Sequence, residues 1–151
     1  MKKYSIGFTA GVFDLFHIGH LNLLKKCKEQ CEYLIVGVMT DDFTEHQKGN
    51  KPYISCEERM EIVKSIIYVD EVVRVDYHNT YKPDAWKLYH FDVCFTGDDH
   101  KLEAGFLQEQ KVLRTLGAEM IFLPYTKSIS STQIKRKMAD RYENISNNNK
   151  L

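Results

Sequence analysis

Much of what usually announces a function is missing from this sequence. Its 21 lysines and arginines are matched by 21 aspartates and glutamates, so no net field draws the chain onto nucleic acid or an anionic membrane. Partners must be recognised at a local site. No apolar run approaches bilayer-spanning length, and the start, MKKYSIGFTAG, lacks the apolar stretch and cleavage pattern of a secretory signal. A cytoplasmic location without membrane insertion is expected. Four cysteines, Cys27, Cys31, Cys56 and Cys94, form no C-x-x-C pair. Cys27 and Cys31 could share a helix face, with His20 seven residues upstream, yet no second ligand pair accompanies them, so core cysteines in a reducing compartment are the expectation. Internal repeats and linkers are absent too. The 151 residues suit one domain, 1–140, followed by a flexible tail, 141–151.

What is present is a regular alternation of elements. Tyr4–Ala10, with Ile6, Phe8 and Ala10 on one face, predicts a first strand that Gly11 ends. A helix is expected over about Ile18–Cys31. Tyr33–Met39, YLIVGVM, is apolar almost without a break, the pattern of a parallel strand covered on both faces. Thr40–Ile54 is polar and punctuated by Gly49, Asn50 and Pro52, which predicts a long loop. Ser55 and Glu58 make a capping-box pattern opening a helix that ends near Tyr68, with Met60, Val63 and Ile67 along one face. Glu71–Val75 reads as a strand, Pro83–His90 as a helix carrying the only tryptophan, Trp86, and Asp92–Thr96 as another strand. Leu102–Leu116 is helical in pattern and stops at Gly117, and Ala118–Leu123 is the last strand before Pro124. Ser130 or Ser131 caps a final helix through Ile134 and Met138. Such alternation implies an α/β fold, a Rossmann-like three-layer sandwich with a mostly parallel five-stranded sheet. Ligands of such a sheet lie beyond the carboxyl ends of its strands.

At the first such end stands Gly11-Val12-Phe13-Asp14-Leu15-Phe16-His17-Ile18-Gly19-His20. His17 and His20, spaced i and i+3 at a helix start, share a face beside the unpaired N–H groups and the positive end of the helix dipole. Both can donate to one phosphate group, and Gly19 removes a side chain where a ligand would approach the backbone. Taken singly, the pair could equally be two histidines packed at a helix start.

GVFDLFHIGH resembles the H-x-G-H signature of the nucleotidylyltransferase superfamily. Three later segments, KPYISCEERMEIVKSIIYVDEVV, FTGDD and SISSTQIK, resemble its cytidylyltransferase branch, and the likeness spans about residues 4–138. In members acting on glycerol 3-phosphate the last motif reads R-T-x-G-I-S-T-T. Here Tyr125-Thr126-Lys127-Ser128-Ile129-Ser130-Ser131-Thr132 occupies it. Tyr125 replaces an arginine that contributes to phosphate binding in the family, Ser128 replaces the glycine, and Lys127 is a candidate substitute charge. Class I aminoacyl-tRNA synthetases share H-x-G-H, but their K-M-S-K-S loop and length are missing.

The resemblance implies attack by a phosphomonoester oxygen on the α-phosphorus of CTP, giving a CDP-alcohol and pyrophosphate. An acceptor that is already mostly dianionic near pH 7 needs neither a protein nucleophile nor a general base, so positioning and charge stabilisation remain. It implies His17, His20, Lys48 and Arg59 as catalytic contacts. Gly11, Val12, Phe13, Asp14, Gly19, Lys51, Asp98, Lys127, Ser130, Ser131 and Thr132 would bind nucleotide or phosphate. Asp14 could instead orient a histidine. Taken alone, Lys48 and Lys51 read as solvated loop lysines, Arg59 as a surface partner of Glu58 or Glu61, Asp98 and Asp99 as a Gly-Asp turn, and Trp86 as core. Mg²⁺ is implied with the triphosphate, no carboxylate cluster announcing a protein-bound metal. CTP and a small phosphorylated alcohol are the expected partners, and a homodimer the expected assembly. An adenylyltransferase using ATP on a sugar phosphate or flavin phosphate is the alternative enzyme, and a nucleotide-binding protein impaired at Tyr125 and Ser128 the alternative of another class.

Overall fold

A computed structural model describes residues 1–126 and 129–150. Its framework is a five-stranded sheet in the order β3-β2-β1-β4-β5, formed by β1 (Tyr4–Gly11), β2 (Cys31–Met39), β3 (Glu71–Val75), β4 (Val93–Gly97) and β5 (Glu119–Leu123). Every pairing is parallel, with Phe8 of β1 opposite Ile35 of β2 and Cys94 of β4. The helices α1 (Ile18–Gln30), α3 (Cys56–Lys64), α4 (Lys82–Tyr89) and α5 (Ala104–Thr115) are the crossovers that parallel pairing requires. On one face, Leu24 and Cys27 of α1 and Val63 of α3 pack against Leu34, Val36, Val38 and Phe95. On the other, Ala85 of α4 and Leu113 of α5 pack against Phe8, Ile35, Cys94 and Met120. Because Leu34–Val38 is buried on both sides, the unbroken apolar run of β2 has its physical reason. Trp86 packs against the second cluster, and all four cysteines are buried and free.

Three expectations fail locally. Residues 40–54 are not one long loop: Asp41–Lys48 forms α2, capped by Thr40, whose side chain accepts from the Phe43 amide, and closed by Gly49 at φ 83°. Acidic residues in its first turn and basic ones in its last suit the helix dipole, and the glycine takes the left-handed C-cap at no steric cost. Next, α3 stops at Lys64 instead of running to Tyr68, so Ile67 is 85% exposed and not a core residue. Finally, α6 (Ser131–Asn148) continues through most of the segment expected to be a flexible tail. The helix-forming run Lys135–Glu143 carries the helix into the asparagine-rich end. Among the described residues no helix is long and apolar enough to cross a membrane.

Candidate active site

The chain runs from β1 through β2 to β3 on one side, then returns to place β4 on the other side of β1. The reversal leaves a crevice at the carboxyl ends of β1 and β4, where open parallel sheets bind ligands. His17 follows the first of these ends and Asp98 the second.

Between β1 and α1 the backbone is forced. Phe13 (φ 56°) and Leu15 (φ 49°) are non-glycine residues in the left-handed region, a conformation that persists only when surrounding contacts hold it. The Phe13 ring is buried, Arg59 holds the Val12 carbonyl at 2.6 Å, and Asp14 anchors the next turn. This geometry delivers His17 to the N-cap of α1, where the two histidines close a capping box. The Gly19 amide donates to His17 Nδ1 at 3.0 Å, and the His17 amide donates to His20 Nδ1 at 3.2 Å. Since a backbone N–H can only donate, both Nδ1 atoms are acceptors and each neutral ring carries its proton on Nε2.

The rings stack with centroids 3.8 Å apart, which disfavours charging both. Burial, followed by the charges of His17 and Lys48 and opposed by Asp14, pushes the His20 imidazole down to about 4. Burial lowers His17 as well. The pair therefore offers neutral N–H donors, not cations. Two details of the expectation change. One amide of the helix N-terminus, that of Gly19, is engaged by His17 and so does not face a ligand. A Cβ on Gly19 would lie 2.8 Å from His17 Cε1 and 3.0 Å from Nδ1, so the glycine makes room for the capping ring.

Asp14 is a hub and not a histidine partner. Its carboxylate accepts from the amides of Tyr53 and Ile54 at 2.9 and 3.0 Å and pairs with Lys135 Nζ at 3.2 Å. Burial alone would raise this carboxyl, but the two amides and the Lys135 ammonium hold it below the usual carboxylate range. Ser131 Oγ donates to the Asp14 carbonyl at 2.7 Å, drawing the α6 N-terminus to the β1–α1 turn. Ser130 caps α6 by accepting from the Gln133 amide at 3.1 Å, and Thr132 is exposed. Asn22 of α1 donates to the Thr126 hydroxyl at 3.2 Å, a second tie between the same two regions.

Arg59 does not behave as a phosphate ligand. It is fully buried and its guanidinium donates to the carbonyls of Ile54, Val12 and Met39 and to Asp41 Oδ1, at 2.6 to 2.8 Å. The arginine clamps the ends of β1 and β2 to the starts of α2 and α3. Lys48 ends α2 and is exposed, with its charge felt at His20. Lys51 is exposed, 3.8 Å from Glu45. Asp98 opens a single 3₁₀ turn after Gly97 and faces solvent. Beside it, the half-exposed Tyr125 packs where a Cβ on Gly97 would overlap its ring, and burial, then Asp99 and Asp98, pushes its hydroxyl up to about 12. A neutral phenol thus stands where the resemblance expects arginine. Lys127 and Ser128 lie outside the described residues. Sequence reasoning missed Asp41, Tyr53 and Lys135. Lys135 had a signal, because it follows Ser131 by four residues on one helix face.

Residues 8–137 match the cytidylyltransferase-like family. The chain belongs to this family. It is 39% identical over 139 residues to the glycerol-3-phosphate cytidylyltransferase of Bacillus subtilis (strain 168), covering 92% of this chain and 98% of that protein. The FAD synthase of Thermococcus sibiricus is 36% identical over 124 residues, covering 82% and 83%. Among solved structures, the lipopolysaccharide core biosynthesis protein of Thermoplasma volcanium GSS1 superposes with a TM-score of 0.66 at 24% identity over 82% of this chain and 97% of that one, a likeness of fold. As a cytidylyltransferase-like protein the chain is a nucleotidyltransferase, and the H-x-G-H pair sits at its sheet crevice with one proton-bearing Nε2 on each ring.

Proposed function

We propose that this chain transfers a cytidylyl group from CTP to a small phosphorylated alcohol, with glycerol 3-phosphate as the acceptor. The observation that carries it is the stacked His17/His20 pair, locked by its own capping box into two neutral Nε2–H donors at the sheet crevice. Donors of this kind suit a reaction that needs neither a protein nucleophile nor a general base. An oxygen of the acceptor dianion attacks the α-phosphorus, the bond to the bridging oxygen breaks, and pyrophosphate leaves with the electron pair. His17 and His20 donate to the α-phosphoryl and leaving-group oxygens, where negative charge grows in the transition state. Lys48 and Lys51 approach the triphosphate from α2 and the segment after it, and Thr132 with the α6 N-terminus from the other side. Asp98 and Tyr125 line the β4–β5 end, where the nucleoside lies. Arg59 and Asp14 position these groups without touching substrate.

Magnesium belongs to the proposal through the triphosphate. Among the described residues no group of three or more His, Cys, Asp or Glu side chains could hold a metal ion, and the proposal carries the ion on the phosphate oxygens of CTP. When bound to CTP the ion offsets charge on the departing pyrophosphate. A homodimer is part of the same proposal, by likeness to the family.

A second reading, adenylyl transfer from ATP to a flavin phosphate, is favoured by the identity to an FAD synthase and by Tyr125 standing in place of arginine. Pyrophosphate release measured with CTP or ATP, each against glycerol 3-phosphate and flavin mononucleotide, separates the two. Release with CTP and glycerol 3-phosphate supports cytidylyl transfer, and release with ATP alone overturns it.

A further inference from the structure

Three segments distant in sequence meet at Lys135. Its ammonium stands 3.2 Å from Asp14 Oδ2 in the β1–α1 turn and 4.9 Å from the centroid of the Tyr53 ring in the segment between α2 and α3. Its own helix is tied to the same turn through Ser131. Tyr53 and Ile54, in turn, are held by their amides on the two oxygens of the Asp14 carboxylate. One lysine thus pairs with a carboxylate that is 3% exposed and stands over the otherwise exposed Tyr53 ring in the segment that carboxylate anchors. The Lys135 cation adds to the two amides in holding the Asp14 carboxyl below its usual range, and the ionised carboxylate is the stronger acceptor for both amides. The α6 N-terminus carries no acidic residue in its first turn, so the lysine finds its counter-charge across the cleft.

We propose that Lys135 is a positioning residue that sets the spacing between the two sides of the anion site, acting through Asp14 and Tyr53. On one side of Asp14 is the segment that carries Tyr53 and Ile54, which follows Lys48 and Lys51 in the chain, and on the other the hydroxyl-bearing start of α6. The proposal rests on nucleotidyl transfer as the activity and adds what aligns the site for it. Misplacing a reacting group by about 1 Å can cost on the order of a hundredfold in rate, so a lysine that never touches substrate can govern turnover. The expected signature is a loss in kcat with little change in KM, because ground-state contacts to the nucleotide survive a small misalignment that the transition state does not.

The test compares wild type, Lys135→Met and Lys135→Arg by two measurements. Amide hydrogen exchange on the protein without substrate reads the Tyr53 and Ile54 amides, and steady-state kinetics use CTP, Mg²⁺ and glycerol 3-phosphate. Lys135→Met is expected to speed exchange at both amides at least tenfold and lower kcat at least tenfold, with KM for CTP moved less than threefold. Lys135→Arg, which keeps the charge, is expected to recover most of both. Unchanged exchange in Lys135→Met, or unchanged kcat, overturns the proposal. So does a loss confined to KM, which would make Lys135 a substrate ligand. If the wild type itself forms no nucleotidyl product, the proposed function fails, while the exchange measurement still judges the Lys135 coupling.

Discussion

At His17 and His20 a single hydrogen-bonding fact decides the chemistry. With each Nδ1 occupied by a backbone amide, neither ring can accept a proton there without breaking the cap, and each keeps one donor for phosphate. His17→Asn retains a side chain well suited to N-caps but loses the Nε2–H donor. Turnover is expected to fall about a hundredfold in steady-state assays with the melting temperature little changed, whereas near-normal turnover would remove His17 from the reaction. NMR of the imidazole nitrogens is expected to find both rings as Nε2–H tautomers at pH 7, with His20 titrating near 4. Because the fold holds the neutral ring, the stability linked to His20 is complete above about pH 6.5 and is lost as pH falls toward 4. The histidines were legible in the sequence as an anion site because their spacing and their place after a strand are local facts. Their protonation was not, since it follows from a cap formed only in the folded turn. Arg59 shows the opposite failure: its order among family motifs suggested a phosphate contact, but complete burial is a tertiary property that order does not reveal.

Among the elements, α2 and α6 carry the instructive differences. The segment DDFTEHQK buries only Phe43 and Thr44, too few apolar residues for a helical stripe, and the following Gly-Asn-Lys-Pro pulled the reading toward a loop. Its cap Thr40, first-turn acids, last-turn base and Gly49 were nevertheless all visible, so local signals outweighed the missing stripe. What fastens α2 is Arg59, through Asp41 and the Met39 carbonyl. Arg59→Met leaves Asp41 without its cation and three backbone carbonyls without their donor. A loss of about 3 kcal/mol or more is therefore expected in denaturant unfolding, and a stable variant with weakened CTP binding alone would restore the phosphate-ligand role. From residue 136 of α6 to residue 150 just beyond its end, every residue except Ser146 is exposed. Ending the chain after Asp140 is accordingly expected to shift the melting temperature by no more than about 3 °C and leave turnover intact. A larger loss would show that the last turns are docked on something.

For the whole molecule, the parallel order β3-β2-β1-β4-β5 explains why segments scattered along the chain converge. Each functional stretch follows the carboxyl end of a strand, and the balanced net charge leaves recognition to that one edge. The three-layer α/β class and the mostly parallel five-stranded sheet were readable from the alternation of patterns, because continuous apolar runs and capped helices leave few topologies open; the strand order, with β1 in the middle, came only from the folded sheet. The pairing of distant residues, such as Lys135 with Asp14, was not readable either. The central claim is that this edge joins CTP to a phosphorylated alcohol. It is tested most directly by incubating the protein with equal CTP and ATP, Mg²⁺ and glycerol 3-phosphate, and determining the mass of the product. The expected product is CDP-glycerol, formed with one pyrophosphate for each molecule and not formed by His17→Asn at a comparable rate. An adenylylated product, or none with either nucleotide, would contradict it.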